Sequence, residues 1–313
     1  MNKYLYFFLR LGILLVIVGI LDYAIGSALR YYYFKQTQGK QYRTTVSMEQ
    51  TKAEVLIFGS SRANHHYSPA QIGKQLNNTV YNAGRDGQYL FYHYAVLKSI
   101  LKRYRPNLVI LEFQRGEFSK NQESYDMLSS LLPYYADHPE IRQVIDLKGP
   151  YEKIKLLSRI YPYNSTVLSI AGGMGGLNKR KEATNMGYVP LTNTWQEPLK
   201  AEGLTHKPDA DPVKIKVFNS FIDDCKKLGI EIVIVCSPYF IKFTRYDESI
   251  MLAKKIAARK DIRFYDFSND SYFLNQKNLF SDPLHLNYKG AEYFTRKLLD
   301  TMARSGTITV KHN

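Results

Sequence analysis

Two short segments that lie far apart in the chain carry the residue types of a serine-based acyl-transfer site. The first, residues 55–62 (VLIFGSSR), is an apolar run that ends in a glycine and two serines. The second, residues 282–287 (DPLHLN), lies near the C-terminus. A serine becomes a nucleophile when an imidazole takes its proton and a carboxylate orients that imidazole. Ser61, His285 and Asp282 therefore predict a Ser-His-Asp hydrolase or acyltransferase; the plainer alternatives are a turn hydroxyl, a buried histidine and a helix cap.

These residues need a scaffold that brings the two segments together, and the apolar pattern of the chain indicates one. Strands are predicted at 53–58, 79–82, 107–113, 231–236 and 263–267, and helices at 68–76, 89–104, 212–228, 246–258 and 288–302. Short apolar strands separated by helices indicate a parallel sheet that is buried on both faces. The predicted fold is therefore a doubly wound, flavodoxin-like α/β sheet flanked by helices, with Ser61 at its carboxyl edge.

The alternation of strands and helices breaks in the middle of the chain. Residues from about 119 to 212 contain helical patterns with Pro and Gly between them and no convincing strand. Long interruptions of this kind are uncommon within a compact domain unless they have a function of their own. We interpret this segment as a largely helical insert in one α/β domain that spans 53–303, and residues 304–313 as a tail.

The N-terminus carries the clearest targeting signal. Between residues 4 and 28 the only charges are Arg10 and Asp22, and the run between them is apolar. This segment can span a bilayer if Arg10 reaches the interface, and a cleaved signal peptide is the alternative. We expect a membrane anchor at 1–30 and a juxtamembrane linker at 31–52. Basic residues after the anchor favour a cytoplasmic body, whereas the predicted chemistry favours the extracytoplasmic (periplasmic or outer) face, which is the prediction adopted.

Composition narrows the classes of partner. The 313 residues carry a formal net charge of +15, which favours acidic partners. The sequence lacks zinc-finger spacing, a helix-turn-helix signature and RNP-like aromatic motifs, so no nucleic acid partner is predicted. The two cysteines, Cys225 and Cys236, are expected to be buried free thiols, with a disulfide between them left open. No Cys/His cluster has metal-ligand spacing, and no metal or cofactor is predicted.

The order of these motifs resembles the SGNH/GDSL hydrolase superfamily. That family has a Gly-Asp-Ser-like block after the first strand, a glycine after the second, and Asp-x-x-His near the C-terminus. Here the sequence GSSR follows the first strand, the second strand leads into residues 81–84 (YNAG), and Asp282 begins the third motif. The resemblance covers most of residues 53–118 and 213–300 and leaves the insert out.

The resemblance implies a role for each matched residue. Ser61 would be the nucleophile, His285 the general base, and Asp282 the group that orients the imidazole. The backbone N–H groups of Ser61 and Gly84 would form the oxyanion hole. The family's third block is typically Gly-x-Asn-Asp, whose asparagine also donates to the oxyanion. This chain has EFQRGE at that point, so Gln114 is the candidate for the missing amide donor, and the alternative is an oxyanion hole built from backbone N–H groups alone.

A Gly-Ser-Ser-Arg block with an anchor and a large insert is similar to the envelope acyl-transfer branch of the superfamily. That branch includes the alginate O-acetylation proteins and the D-alanyl transfer protein of teichoic-acid operons. The resemblance implies a membrane-anchored serine esterase or O-acyltransferase acting on a cell-envelope glycan, with acetyl as the expected acyl group. A transferase would need a multi-pass membrane partner to deliver that group. The alternatives are a catalytically inactive protein that binds glycan or scaffolds an acylation complex, and an esterase acting on phospholipid.

An arginine follows each of the first three predicted strands: Arg62, Arg85 and Arg115. In such a fold these loops converge on one cleft, where guanidinium groups would bind a carboxylate or phosphate of the substrate by paired hydrogen bonds. The alternative is a structural network with the acidic residues nearby, which are Asp86, Glu112 and Glu117. His65 and His66, just beyond Ser61, are predicted to lie in a surface turn, and the alternative is that they line the site.

Overall fold

The computed structural model describes residues 3–174, 186–198, 209–241 and 247–308. Its centre is a sheet of five parallel strands in the order β2-β1-β3-β4-β5. The strands are β1 (Val55–Phe58), β2 (Val80–Asn82), β3 (Leu108–Glu112), β4 (Glu231–Cys236) and β5 (Arg263–Asp266). This is the strand order of flavodoxin-like doubly wound folds. The predicted fold class is therefore confirmed, and each strand lies within its predicted segment.

Helices cover both faces of the sheet. The α-helices are α1 (Lys3–Phe34), α2 (Gly39–Thr45), α3 (Ser61–His66), α4 (Pro69–Leu76), α5 (Leu90–Arg103), α6 (Glu123–Asp126), α7 (Arg142–Ile145), α8 (Glu152–Lys155), α9 (Val167–Met174), α10 (Pro212–Lys227), α11 (Glu248–Arg259) and α12 (Tyr288–Arg304). On one face, Leu56 and Ile234 join a core with α5, α10 and α11. On the other face, Val55 and Val233 pack with α3, α4 and α12. The last part of the predicted tail, 309–313, lies outside the described residues.

The N-terminal helix α1 extends well beyond the apolar run. In the part of the chain that the structure describes, it is the one helix long and apolar enough to cross a membrane, a test that a signal sequence also passes. Its apolar side chains are exposed, whereas Gly26 and Tyr33 near its C-terminal end are buried. The ring of Tyr33 packs edge-on against those of Tyr134 and Tyr163 in the insert. The far end of α1 is therefore part of the folded body.

The segment predicted as a linker, 31–52, is folded onto the domain, which corrects that prediction. After the end of α1 it forms α2 and then a π-helical turn, Val46–Gln50. Arg43 donates a hydrogen bond of 2.6 Å to the side chain of Asn64, and Met48 is fully buried. These contacts join residues that are distant in sequence. For that reason a polar stretch without apolar periodicity gave no sign of them.

The insert, 119–212, is largely helical up to Met174 and has no helix in its described residues 186–198, while 175–185 and 199–208 lie outside the described residues. Its described part contains α6 to α9 and 3₁₀ turns at Met127–Tyr134, Pro139–Ile141, Asp146–Lys148 and Tyr161–Tyr163. The two ends of the insert meet in an isolated antiparallel bridge between Ser119 and Ala210. The insert thus leaves and re-enters the α/β domain at one place, between β3 and α10.

Candidate active site

Ser61 stands where β1 gives way to α3. The strand ends at Phe58, and Gly59 turns the chain with a φ of +140°, a conformation that residues with a side chain rarely adopt. A Cβ at Gly59 would lie 2.8 Å from the Cβ of Glu112 and 2.9 Å from that of Ala63. The glycine therefore lets the turn lie directly against β3. The turn places Ser61 at the carboxyl edge of the sheet, where it is the first residue of α3.

His285 and Asp282 lie together on a short hairpin near the C-terminus. Strand β6 (Phe280–Asp282) pairs antiparallel with β7 (His285–Leu286), and Asp282 is opposite His285 in this pairing. One carboxylate oxygen of Asp282 accepts the backbone N–H of Leu284 at 2.8 Å and that of His285 at 3.0 Å. The three-residue spacing is therefore the spacing of a tight turn, and the turn points the carboxylate at the imidazole.

The structure brings Ser61, His285 and Asp282 into one hydrogen-bonded line, although Ser61 and His285 are 224 positions apart. The Oγ atom of Ser61 lies 2.7 Å from Nε2 of His285. The Nδ1 atom of the same ring lies 2.8 Å and 2.9 Å from the two carboxylate oxygens of Asp282. A carboxylate can only accept, so Nδ1 carries the proton. Nε2 is then free to accept the proton of Ser61, which is the arrangement required of a general base.

The carboxylate of Asp282 is held in its ionised form. Partial burial on its own would raise the pKa of Asp282. The hydrogen bond and the electrostatic attraction from His285, together with the two backbone N–H groups of the turn, outweigh that burial and lower the pKa of Asp282 below its ordinary value. An ionised Asp282 stabilises the imidazolium that forms when Ser61 gives up its proton.

Helix α3 holds the backbone on both sides of His285. An Nη1 hydrogen of Arg62 is donated to the carbonyl oxygen of Leu284 at 2.8 Å. The N–H of Leu286 donates to Nε2 of His66 at 2.9 Å. Arg62 and His66 are four residues apart, on one face of the helix that begins with Ser61. The nucleophile and the residues flanking the base are therefore parts of one hydrogen-bonded unit.

A buried carboxylate, Glu112 at the end of β3, holds Arg62 and its neighbours in place through several hydrogen bonds. It accepts hydrogen bonds from Arg62 (3.0 Å), from the Ser237 hydroxyl (2.7 Å) and from the Tyr67 hydroxyl. The Arg62 guanidinium also lies 3.7 Å from the ring centre of Tyr239. All three guanidinium nitrogens are engaged, and the side chain is buried. Arg62 therefore has a structural role, and its predicted role in substrate binding is wrong.

His66 belongs to the same network and is fully buried. Because its Nε2 accepts the N–H of Leu286, its Nδ1 carries the proton, which points at Oγ of Ser237 at 2.8 Å. Burial first, and then the neighbouring Arg62 guanidinium, lower the pKa of His66 well below 6.5. A neutral His66 in this one tautomer is what the hairpin requires, since the protonated ring could not accept from Leu286.

The predicted oxyanion hole is only partly available. The N–H of Gly84 donates to the Asn82 side chain at 2.9 Å, so this predicted oxyanion donor has a partner within the protein, which corrects its assignment for this conformation. A contact between Gln114 and an oxyanion stays a prediction. The N–H of Ser61 lies in the first turn of α3, where no intrahelical acceptor exists. It is the predicted donor best placed for an oxyanion.

The other two arginines after strand ends differ from each other. Arg85 is buried, donates to the hydroxyl of Thr44, and lies 5.3 Å from the ring centre of Tyr92. The structure therefore closes Arg85 off from a substrate, and its predicted role in substrate binding is wrong. Arg115 remains partly exposed, and its Nε lies 3.8 Å from a carboxylate oxygen of Asp247. A substrate contact by Arg115 stays a prediction.

Both histidines after the serine block are buried, which corrects the predicted surface turn. The Nε2 atom of His65 lies 3.2 Å from the carboxylate of Asp86, and its Nδ1 lies 2.6 Å from the carbonyl oxygen of Val189. Its ring centre is 5.9 Å from that of His285. His65 is therefore a neighbour of the site, which was the alternative to the surface turn, whereas its contact with Val189 could not be seen in the sequence because Val189 comes from the far end of the insert.

Other chemistry has little support in the described residues. No group of three or more His, Cys, Asp and Glu side chains among them could hold a metal ion. Cys225 and Cys236 are free and buried. Burial raises the pKa of both thiols, with a further contribution from Asp224 at Cys225 and from Glu112 at Cys236. Neither thiol is thus prepared to act as a nucleophile.

Comparison with known proteins gives likenesses of structure. No family model matches the sequence, and no curated protein matches it. A protein of Desulfitobacterium hafniense DCB-2 assigned to the lipolytic G-D-S-L family shares 12% identity over 78% of this chain and 96% of its own, with a TM-score of 0.40. The acetyl xylan esterase AlAXEase shares 12% identity over 79% of this chain and 98% of its own, with a TM-score of 0.39.

A mutant of Axe2, an acetyl-xylooligosaccharide esterase from Geobacillus Stearmophilus, shares 13% identity over 80% of this chain and 94% of its own, with a TM-score of 0.39. At such identities and TM-scores, the function has to be argued from the site itself.

Proposed function

We propose that this chain is a membrane-anchored serine esterase or O-acyltransferase of the SGNH/GDSL type. The observation that carries the proposal is the continuous hydrogen-bonded line from Ser61 Oγ to His285 and on to Asp282, at 2.7 and 2.8 Å. A turn hydroxyl, a buried histidine and a cap carboxylate would have no reason to meet in this order. The clamp of α3 on the residues flanking His285 supports the same reading, because it fixes the distance on which proton transfer depends.

The proposed reaction has two acyl-transfer steps. Ser61 Oγ attacks the ester carbonyl carbon while its proton passes to Nε2 of His285, and the tetrahedral oxyanion lies near the N–H of Ser61. Collapse breaks the ester C–O bond, and the imidazolium returns its proton to the departing alcohol, which leaves acyl-Ser61. A second hydroxyl then repeats the sequence in reverse. Water as acceptor gives hydrolysis, and a sugar hydroxyl gives transfer.

The setting of the reaction follows from α1 and from the sequence resemblance. An apolar helix of spanning length supports anchoring of the domain at a membrane. The proposed substrate is a cell-envelope glycan carrying acyl groups, with acetyl as the expected group, and the proposed location of the catalytic domain is extracytoplasmic. Transfer, as opposed to hydrolysis, would require a membrane partner that supplies the acyl group.

Labelling with a fluorophosphonate probe tests the activated serine. The full chain is used in detergent, because residues of α2 next to the anchor are buried in the domain. We expect wild type to be labelled, and Ser61→Ala and His285→Ala to lose labelling. Ser60→Ala is the matched control, since it removes the neighbouring hydroxyl and should be labelled like wild type. A folded wild-type protein that is not labelled would contradict the proposal.

A catalytically inactive protein that binds glycan or scaffolds an acylation complex is the second candidate. It is favoured by the engaged N–H of Gly84, since this removes an expected oxyanion donor. Loss of a single donor typically costs about 10²–10³ in rate. This candidate predicts no probe labelling, together with glycan binding that is unchanged in Ser61→Ala.

A further inference from the structure

Outside α1, large apolar side chains that face solvent concentrate in one part of the insert. Among the described residues between 151 and 168, the exposed apolar side chains are Tyr151, Ile154, Leu157, Val167 and Leu168. Leu157 is 81% exposed and Leu168 88% exposed. Single exposed apolar residues are ordinary, but a group of them usually marks an interaction surface. We call these five residues the insert apolar group.

The insert apolar group is fixed beside α1. The carboxylate of Asp22 accepts the backbone N–H of Arg159 at 2.7 Å, the N–H of Ile160 at 3.3 Å, and the hydroxyl of Ser158. A Cβ at Gly26, one turn further along α1, would lie 2.4 Å from the Cβ of Arg159. The insert loop therefore lies directly on the helix, and α9, which carries Leu168, also packs against α1.

These contacts set the height of the insert apolar group along α1. The predominantly apolar segment from Tyr4 to Leu21 contains one charge, Arg10, and with a rise of about 1.5 Å per residue it is about 27 Å long. The hydrocarbon core of a bilayer is about 30 Å thick. Asp22 therefore marks the end of the membrane-spanning part. Leu157, directly before Ser158, lies at the same height and so at the bilayer interface.

Basic side chains surround the contact between α1 and the insert. A cleft of 640 Å³ lies there, and its lining includes Arg30, Arg142, Lys153 and Arg159. Arg30 pairs with Asp137 and Lys153 with Asp146, both at exposed positions. Exposed pairs of this kind exchange partners readily. Basic residues that flank apolar residues at an interface complement the headgroups of anionic lipids.

We infer that the insert apolar group enters the interfacial region of an anionic bilayer beside α1 and is a second point of membrane attachment. The inference rests on the proposed anchoring by α1 and goes beyond it. A single spanning helix leaves the tilt of its domain free. A second contact at the same interface restricts that tilt, and so fixes how the site is presented to substrate near the membrane.

Single-cysteine labelling tests the inference on the full chain. Introduced cysteines can be labelled selectively, because Cys225 and Cys236 are buried. Leu157→Cys and Leu168→Cys report on the insert apolar group. Val16→Cys in α1 is the membrane control, and the exposed Met251 on α11 gives the aqueous control Met251→Cys. Each variant carries an environment-sensitive fluorophore and is reconstituted into vesicles of equal parts phosphatidylcholine and phosphatidylglycerol.

We expect brominated lipid to reduce the fluorescence at positions 157, 168 and 16, and aqueous iodide to reduce it at 251 alone. Iodide quenching at 157 and 168, with lipid quenching kept at 16, would overturn the second contact and leave the anchor in place. Iodide quenching at 16 would instead overturn the anchoring itself. Protection of 157 and 168 in native membranes but not in the purified vesicles would assign this surface to a protein partner, against our inference.

Discussion

The sheet edge that carries Ser61 and the contact between the insert and α1 each contain an arginine–carboxylate pair, and the two pairs differ in exposure to water. Arg62 and Glu112 are 3.0 Å apart with side chains 3% and 1% exposed. Arg30 and Asp137 are only 2.6 Å apart but 41% and 46% exposed. Exposed pairs typically contribute about 0–1 kcal/mol, whereas breaking a buried pair costs about 3–5 kcal/mol. Burial, and not distance, separates the two regions.

The comparison also separates what each region can do. At the site, buried polar groups engage one another completely, so a change at one of them leaves another without a partner in a low-dielectric surrounding. At the insert contact, charged side chains can turn to water or to a lipid headgroup. We therefore expect the buried network at the sheet edge to hold the catalytic residues in a fixed geometry. We expect the side chains at the contact between the insert and α1 to change partners with their surroundings.

The largest expected effect is on the rate of reaction at Ser61, in the buried region. In Asp282→Asn the amide can donate to Nδ1 of His285, which favours the tautomer whose Nε2 carries the proton. That tautomer cannot accept the proton of Ser61, so we expect the rate of fluorophosphonate labelling to fall by about 10²–10⁴. Asp223→Asn, whose exposed carboxylate pairs with Lys260, should label like wild type. A rate within threefold of wild type would exclude Asp282 from the mechanism.

The next effect compares the two ion pairs directly. Glu112→Ala leaves Arg62 buried without its carboxylate, and we expect the free energy of unfolding to fall by about 3–5 kcal/mol. Asp137→Ala removes the shorter pair, and we expect a loss of about 1 kcal/mol or less. Denaturant unfolding of both variants in the same detergent measures the difference. Equal losses would mean that burial does not distinguish the regions as proposed.

The sequence predicted those features of the two regions that depend on local patterns of residues, and it missed those that depend on contacts between distant residues. The five strands and the helices around them follow from apolar periodicity, which is local. Ser61, Asp282 and His285 could be selected because each stands in a short motif at a strand end or tight turn. The pairing of Arg62 with Glu112 was the stated alternative to substrate binding. Ser237 could not be selected as a partner of Glu112, since it is 125 positions away, and only the folded sheet brings the two together.

The errors have a shared physical origin. The role of Arg62 in substrate binding was inferred from its place after a strand, but a side chain on a helix face can turn inward as easily as outward. The N–H of Gly84 was predicted to be free, yet the side chain of Asn82 two residues earlier accepts it. The segment 31–52 looked like a linker because its partners lie in other parts of the chain. The strands and helices of the α/β domain and the line from Ser61 to Asp282 were predictable from local motifs, whereas contacts between polar groups outside such motifs were not.

A smaller effect is expected from a substitution at the contact between the insert and α1. In Gly26→Val the new side chain would meet the backbone and Cβ of Arg159, so the insert loop must move away from α1. We expect a loss of about 1–3 kcal/mol and faster proteolysis of the insert, with probe labelling at Ser61 unchanged. Gly19→Val makes the same change in the same helix where nothing lies within 4 Å, and should be neutral. Loss of labelling in Gly26→Val would mean that the insert contact and the site are coupled.

The smallest effect is a difference in acid sensitivity between the regions. Burial lowers the pKa of His93 in the α/β domain to about 3, and likewise lowers the pKa of His66 at the site. In the insert, the hydrogen bond to Glu49 raises the pKa of His138 above its ordinary value. The two buried histidines stay neutral in the folded protein and take up a proton on unfolding at low pH. His138 does the opposite and is already protonated when folded.

These signs predict opposite contributions to stability. Below about pH 6.5 the unfolded chain binds protons at His66 and His93 that the folded chain does not. The free energy of unfolding therefore decreases by about 1.4 kcal/mol per histidine for every unit by which the pH is lowered. The contribution of His138 is fully present below pH 6.5 and is lost as pH rises through its folded pKa. In unfolding experiments across this range, His93→Leu should therefore flatten the acid loss, whereas His138→Gln should lower stability most on the acid side. If both variants changed the slope of unfolding free energy against pH in the same direction, the opposite contributions expected for His93 and His138 would be contradicted.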